Sequence, residues 1–237
     1  ITKVAFVQGN LDGWSAFRSG SSLWNNKFDR DWGYGAPEFT GKILSELAKK
    51  LSLEKMPKRI ESYDISNIQG SDNVASMVVF LDGKPSKKDY RNFKIKSFSG
   101  QNDFLSMQEV IYRRFRHAVS EQEQVDAGTL NIEDAKFLPL PDLILLDGGK
   151  GQLSSVMEIM ETIDMEIPVF GMVKDSKHRT RAIASGGEEI SINYGREVFT
   201  LVSSVQEEVH RFTVSKMDSA KRKTLKHSML ENIKGDN

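Results

Sequence analysis

The sequence predicts an α/β protein in which helices pack against a mixed sheet. Three observations indicate this class. Residues 143–146, "LILL", form a short aliphatic run typical of a buried strand. Residues 73–98 have the pattern of two strands around the turn Asp82-Gly83. Between them, the segment after Asp103 has apolar residues at helical spacing, and strands alternating with helices predict a layered sheet.

The amino-terminal part predicts only one helix and one strand. Residues 1–37 begin with a possible strand, "VAFVQGN", and then mix Gly, Ser, Asn and aromatic residues without a sustained period, so we expect an irregular segment. Residues 38–53 have the apolar spacing of a helix, and Pro57 follows. The segment "RIESYDIS" at 59–66 is expected to be the first strand of the main sheet.

The middle and carboxyl-terminal parts supply the remaining elements. Asp103 has the position of an N-cap for the next helix, and residues 121–139 are expected to form a polar excursion. After "LILL" we expect a helix from about Gln152 to Ile163 and a strand in "IPVFGMVKD". After a loop, "EEISIN" and "EVFTLV" are expected to pair, and the last helix is expected to begin near Ser203 and to run through "VQEEVHRFTV".

Composition narrows the possible functions. The 237 residues include no cysteine, which excludes disulfides, thiolate metal sites and a cysteine nucleophile and fits a cytoplasmic protein. Lys+Arg and Asp+Glu are both 33, so a nucleic-acid binder of this composition must concentrate its positive charge locally. No run approaches the ~18 apolar residues of a membrane span. The chain begins with Ile1 rather than Met, so we expect a fragment or a processed piece.

The turn after "LILL" is the first candidate site. Asp147 ends the strand, and functional groups gather where strands end in open α/β sheets. The glycines 148, 149 and 151 permit positive φ and close approach of a phosphate, to which Lys150 would add a charge. The alternative is a turn in which Asp147 only caps the next helix. A nucleotide P-loop is excluded, because Lys150 is followed by Gly rather than by Ser or Thr.

Two further residues complete a possible metal site. Asp64 lies in the strand "RIESYDIS", where an aspartate is uncommon unless a partner satisfies it. His210 follows Glu207 by three residues on the last helix, so Glu207 is placed to orient the imidazole. Two carboxylates and one imidazole suit Mg²⁺ or Mn²⁺, which polarises a phosphodiester and activates water. Alone, Asp64 is equally explained as an edge or turn residue, and His210 as a surface residue.

Basic runs would supply contacts to a polyanion. Arg211 follows His210 directly, and two denser clusters lie elsewhere. Phosphate contacts of this kind position DNA without reading its bases. For each run the alternative is a solvated face of the protein. The first cluster comprises Lys174, Lys177, His178, Arg179 and Arg181, and the second comprises Arg113, Arg114 and Arg116.

Taken together, these motifs resemble the UvrC family, the nuclease subunit of the bacterial UvrABC nucleotide-excision repair system. The similarity extends from roughly Ile43 to the end of the chain, and the motifs occur in the family's order and with similar spacing. They are "RIESYDISNIQG", "ASMVVFLDGKPSKKDYRNFKIK", "NDFLSMQEVIYRRF", "LPDLILLDGGKGQL", "VKDSKHRTR" and "EEVHRF".

The resemblance implies an RNase H-like endonuclease domain with a metal site of two aspartates and a histidine, which fall on Asp64, Asp147 and His210. Asp103 of the "DFLSM" motif is a further position that the family favours, although its role as a helix cap explains it equally well. The implied reaction is the incision 5′ to a lesion in the damaged strand, with damaged double-stranded DNA and UvrB as partners. No membrane is implied.

The sequence also departs from the family pattern. The amino-terminal GIY-YIG nuclease and the hairpin that docks on UvrB are absent, and the helix-hairpin-helix module is expected to begin where this chain ends. Ser203 and Ser204 replace an Arg and an aromatic residue, and "SKMDSAKRK" replaces the usual residues after "HRF". We therefore expect an irregular segment over 1–37, the endonuclease domain over 38–220 and a basic linker over 221–237. The alternatives are a repair-complex module that binds DNA without cutting it and a stand-alone structure-selective nuclease.

Overall fold

The structure is a computed structural model that describes residues 37–66, 74–96, 102–174, 180–185, 188–192 and 196–234. Four helices flank one sheet: α1 (Pro37–Lys50), α2 (Asp103–Asp126), α3 (Lys150–Thr162) and α4 (Arg196–Lys234). The strands are β1 (Arg59–Ser66), β2 (Val74–Leu81), β3 (Lys84–Pro85), β4 (Arg91–Lys94), β5 (Leu143–Leu146), β6 (Val169–Lys174), β7 (Thr180–Ser185) and β8 (Glu188–Ser191). The possible strand "VAFVQGN" lies outside the described residues.

The sheet is mixed and has eight strands, in the order β3-β2-β1-β5-β6-β7-β8, with β4 also paired to β2. Strands β1, β5 and β6 run parallel, and the other neighbours are antiparallel. The predicted mixed sheet flanked by helices is therefore confirmed. The parallel centre matters for function, because the carboxyl ends of β1, β5 and β6 lie at one edge of the sheet.

The core has two layers, one on each face of the sheet. Residues of α1 and α4 pack on one face against Leu143 and Leu145, and residues of α2 and α3 pack on the other face against Ile144 and Leu146. Successive side chains of a strand point to opposite faces. The fully apolar run "LILL" is thus explained by burial on both sides, as is usual for a central parallel strand.

A buried ion pair joins α2 to β1. Arg114 and Glu61 are both fully buried, and two guanidinium nitrogens of Arg114 donate to the Glu61 carboxylate at 2.9 and 2.8 Å. Tyr63 donates a further hydrogen bond of 2.7 Å to the same carboxylate. The expectation that Arg114 contributes to a DNA-binding cluster is therefore wrong, because its charge is neutralised inside the protein. Arg113 pairs with Glu109 on its own helix at 2.9 Å.

Several predicted boundaries were wrong. The segment "EVFTLV" is the start of α4 rather than a strand, and β8 pairs instead with β7, which the sequence analysis missed. Helix α4 continues to Lys234, so residues 221–234 of the expected linker are helical, and no Gly or Pro interrupts this stretch. The N-cap of α2 is Asn102, whose side chain accepts from the Leu105 N–H, and Asp103 is the first helical residue.

Candidate active site

The register of β1 and β5 brings two aspartates together. Tyr63 lies opposite Leu146 in this parallel pair, and the next residue of each strand is Asp64 and Asp147. The Asp147 N–H donates to the Tyr63 carbonyl at 3.0 Å, which continues the ladder past the end of β5. Because side chains alternate, Asp147 lies on the same face as Leu145, the face covered by α4. Both carboxylates are about nine-tenths buried.

Helix α4 adds the histidine. The Nδ1 atom of His210 lies 3.6 Å from an oxygen of Asp64, and one ligand atom from each of Asp64, Asp147 and His210 lies within 4.8 Å of the others. The His210 side chain is 64% exposed, whereas that of Asp64 is 13% exposed. The cluster is therefore open to solvent on the histidine side and closed on the sheet side.

Neighbouring polar groups hold the carboxylates in place. The Gln206 amide donates to Asp147 at 2.8 Å, and the Thr180 hydroxyl donates to the Gln206 carbonyl oxygen. Thr213 makes a side-chain hydrogen bond with Asp64. The sequence analysis did not identify Gln206 or Thr213. Their spacing from His210, four residues before and three after, was the available signal, because it places all three on one helical face.

Lys174, the last residue of β6, lies beside Asp147. Its ammonium nitrogen is 2.8 Å from one carboxylate oxygen and 3.0 Å from the other. The sequence analysis assigned Lys174 to the DNA-binding loop, whereas the structure places it against a candidate metal ligand. The lysine side chain is only 36% exposed, so it is oriented by the site rather than free in solvent.

The electrostatics of the pair favour a bound cation. Burial, followed by repulsion from Asp147, raises the pKa of Asp64 from 3.8 to about 6. The hydrogen bond with Thr213, His210 and the Lys174 ammonium oppose this rise without cancelling it. Two buried carboxylates at this separation repel each other, and added positive charge between them would lower the pKa of Asp64 again.

The donor set fits a divalent metal of the Mg²⁺ or Mn²⁺ type. Carboxylate oxygens suit such ions, and Mn²⁺ also accepts an imidazole. Metal–ligand bonds of about 2.0–2.6 Å separate two ligand atoms of one ion by roughly 3 to 5 Å. The mutual limit of 4.8 Å among the three ligand atoms lies within that span. Asp64, Asp147 and His210 are therefore the residues that could hold the metal.

Three supporting residues of the sequence analysis lie outside this cluster. Asp103 begins α2 and is not a member of it. Glu207 is exposed, and the described contact of His210 is with Asp64 rather than with Glu207. Lys150, the exposed first residue of α3, lies with Asp147 on the wall of a small cavity.

The glycines of the turn have a different role from the one expected. Among the described glycines, positive φ occurs at Gly83 and Gly128 but at none of 148, 149 and 151. A side chain at Gly148 would collide with that of Gln152, and a Cβ at Gly151 would lie 2.6 Å from the Phe104 ring. At these two positions a larger residue would force the side chain of Gln152 or Phe104 to move, so glycine is favoured by close packing rather than by the backbone conformation.

The predicted DNA-binding residues are described only in part. Lys177, His178 and Arg179 lie outside the described residues, and so does the side chain of Arg181. Arg211 is held by two hydrogen bonds of 2.7 and 2.6 Å to Glu208, and its side chain remains 54% exposed. Among the described helices, none is long and apolar enough to cross a membrane.

Comparison with known proteins places this chain in a family. Residues 48–214 match the family described as the UvrC RNAse H endonuclease domain. The chain is 50% identical over 190 residues to the UvrABC system protein C of Caldanaerobacter subterraneus subsp. tengcongensis, covering 80% of this chain and 30% of that protein. It is 47% identical over 198 residues to the same-named protein of Alkaliphilus oremlandii, covering 84% and 32%. The chain thus spans about a third of the length of these curated relatives.

Solved structures give a weaker similarity. Human ENDOV is 9% identical with a TM-score of 0.39, covering 78% of this chain and 99% of that one. Endonuclease V of Ciona intestinalis, in a complex with an inosine-containing DNA, is 11% identical with a TM-score of 0.35, covering 77% and 98%. Scores this low have no bearing on the site.

Proposed function

The chain belongs to the family of UvrC RNase H endonuclease domains, and we propose that it is the metal-dependent DNA endonuclease that makes the incision 5′ to a lesion in nucleotide-excision repair. The observation that carries the proposal is the convergence of Asp64, Asp147 and His210 within 4.8 Å. Two carboxylates and an imidazole at the edge of a rigid sheet are suited to phosphodiester hydrolysis assisted by Mg²⁺ or Mn²⁺.

In the proposed reaction, water attacks the phosphorus, and the bond to the 3′ oxygen breaks. The products are a 3′-hydroxyl end, which receives a proton, and a 5′-phosphate end. Asp64, Asp147 and His210 would hold a divalent cation, which would supply Lewis acidity at the scissile phosphate. Gln206 fixes the orientation of Asp147 through its hydrogen bond of 2.8 Å. His210, the most exposed of the three, completes the ligand set or carries the proton.

The proposed substrate is damaged double-stranded DNA, and the proposed partner is UvrB. Support for DNA comes from Lys150 and Arg211, two basic residues near the acidic cluster, and from the basic residues 177–179 of the sequence, which lie outside the described residues. Phosphate contacts would orient the strand, and its sequence would not be read. We also propose a cytoplasmic location, in keeping with a chain that contains no cysteine.

One observation favours a second candidate, a DNA-binding module without catalysis. The Lys174 ammonium lies 2.8 Å from Asp147 and already compensates that carboxylate without a metal. If this pairing persists on DNA, the lysine excludes a cation from the site. The altered sequence after His210 also favours this second candidate.

A nicking assay separates the two candidates. The chain is incubated with UvrB, a lesion-bearing duplex and Mn²⁺, and the products are resolved by length. Asp147→Asn should abolish nicking and leave DNA binding nearly intact, because it removes a ligand charge and no phosphate contact. Asp134→Asn changes an exposed carboxylate on a distant turn and serves as the matched control. A wild-type chain that binds DNA without ever nicking it would support the second candidate, and an active Asp147→Asn variant would refute the role of Asp147.

A further inference from the structure

A cavity of about 280 Å³ lies next to the acidic cluster. It is formed where the end of β5, the start of α3 and strands β6 to β8 meet. Asp147 and Lys174 belong to its wall as well as to the cluster. A phosphodiester positioned at Asp147 would therefore have this cavity within one nucleotide's reach.

Away from Asp147 and Lys174 the walls of the cavity are largely apolar, and its rim is charged. Leu153, Met172 and Ala184 contribute to the walls and are at least nine-tenths buried. Lys150 and Glu189 are exposed at the rim. An apolar interior does not compensate a bare anion or a metal ion for its lost hydration, so neither is expected to bind there. A nucleobase, by contrast, can bury its flat apolar faces in such a cavity. The charged rim suits the phosphate and the polar base edges of the same nucleotide.

Small residues keep the cavity open. Gly171 of β6 lies opposite Ala184 of β7, whereas the next pair in the register is Met172 opposite Ile183. A Cβ at Gly171 would lie 3.4 Å from the Gly148 carbonyl oxygen, so there is little room for a side chain on that wall. Two small residues therefore face each other across the strands where the cavity forms, and a side chain as large as leucine at Ala184 would occupy part of it.

The size of the cavity limits its occupant. Ligand pockets usually measure about 300–1,000 Å³, and this cavity of about 280 Å³ is at the lower end. A paired base or a duplex end does not fit such a volume, and a single unpaired base does. Enzymes that act on duplex DNA can extrude one nucleotide, and a distorted or damaged duplex lowers the energy required.

We propose that this cavity receives the base of one nucleotide next to the scissile phosphate, unstacked from the duplex, with its phosphate near Lys150. The inference rests on the proposed function, since it requires a DNA strand at the acidic cluster. The base would act as an anchor that fixes the scissile phosphate relative to Asp147. Binding of this kind is tolerant of sequence, because every base has an apolar face.

The first test fills the cavity. Ala184→Leu adds a side chain to the wall, and Ala118→Leu makes the same change at an equally buried position on α2, away from the cavity. Thermal unfolding of both variants corrects for any loss of folded protein. In single-turnover nicking of the lesion duplex with Mn²⁺ and UvrB, Ala184→Leu should be slower by about tenfold or more, because the base loses its apolar burial in the cavity. Ala118→Leu should match the wild type.

The second test needs no variant. A 2-aminopurine base is placed in turn at each position flanking the cut, and fluorescence is followed as the full chain binds the DNA. None of the described residues that line the cavity is aromatic. The fluorescence of 2-aminopurine at one position should therefore increase severalfold when that base unstacks, and Ala184→Leu should abolish the increase.

The outcomes separate the inference from the proposed function. The inference would be overturned if no 2-aminopurine position increased in fluorescence, or if Ala184→Leu and Ala118→Leu nicked at the same rate. Nicking by the wild type would still support the proposed function in either case. A wild-type chain that never nicks would contradict the function, and the fluorescence signal alone would then decide whether the cavity takes a base.

Discussion

Replacing Asp64 with Asn should make the metal-free protein more stable at neutral and alkaline pH. The Asp64 carboxylate is 13% exposed and lies beside Asp147, so its ionised form is disfavoured in the folded state. Asparagine keeps the shape of the side chain and its ability to accept the hydrogen bond from Thr213, but it carries no charge. The substitution therefore removes a repulsion that the fold would otherwise have to offset.

The magnitude follows from the pKa of Asp64, which rises from 3.8 to about 6 because of burial and then repulsion from Asp147. A raised pKa means that the folded state binds the proton more tightly than the unfolded state does. The free energy of unfolding of the wild type is therefore highest below about pH 4. It decreases as the pH rises to about 6 and stays at the lower value above that pH. One pKa unit corresponds to about 1.4 kcal/mol, so the loss is about 3 kcal/mol.

The assay is urea unfolding of both proteins in EDTA at pH 4 and pH 8. The free energy of unfolding of Asp64→Asn should exceed that of the wild type by about 3 kcal/mol at pH 8 and should equal it at pH 4. Asp134→Asn, at an exposed position, should have the same free energy of unfolding as the wild type at both pH values. Added Mn²⁺ should stabilise the wild type more than the variant and so narrow the gap. A variant that is no more stable than the wild type at pH 8 would refute the claim that the site is deficient in positive charge.

Three other substitutions test the surroundings of the site. Gln206→Leu removes the hydrogen bond to Asp147 and should weaken Mn²⁺ binding in calorimetry by about 10- to 100-fold, so an unchanged affinity would contradict its positioning role. Lys174→Ala removes the ammonium that competes for Asp147 and should tighten Mn²⁺ binding in the same titration, whereas weaker binding would show that the lysine supports the site. Arg114→Met removes the shorter of the two ion pairs of the buried Glu61, which keeps a contact of 3.4 Å with Arg59, and should lower the free energy of unfolding by about 3 kcal/mol. Arg116→Met on the exposed side of α2 should change it by less than about 0.5 kcal/mol.

The local sequence pattern was sufficient to predict the central strands. It failed where the same residues fit both the period of a strand and the period of a helix. The run "LILL" and the turn at Asp82-Gly83 were correctly predicted because burial and turn chemistry leave few alternatives. The strand expected after that turn is divided into β3 and β4 by a short 3-10 helix over Lys87–Asp89. "EVFTLV" has the β-branched and aromatic residues of a strand, yet Val198, Leu201 and Val205 also share a helical face, and packing of that face on the sheet decides the structure. Strand β7, "TRAIAS", was missed because its short, mixed pattern follows a run of basic residues in the sequence.

The candidate site was predictable to the extent that its residues sit in recognisable motifs. Asp147 was chosen as the end of a strand, Asp64 as an aspartate within a strand and His210 as a histidine on a helix, each supported by the family resemblance. The register of β1 and β5 explains why the two aspartates converge. The partnership of Lys174 with Asp147 depends on a crossover between strands, which no local pattern encodes. Arg114 was misassigned because a run of basic residues was treated as one surface, although the helix turns this arginine towards the buried Glu61.

The most direct measurement is the anomalous diffraction of Mn²⁺ in crystals of this chain. The account predicts a peak shared by Asp64, Asp147 and His210, with ligand oxygen and nitrogen atoms about 2.0–2.6 Å away, and with the Lys174 ammonium displaced from Asp147. A saturating Mn²⁺ soak with no peak there, and with Lys174 still paired to Asp147, would contradict it.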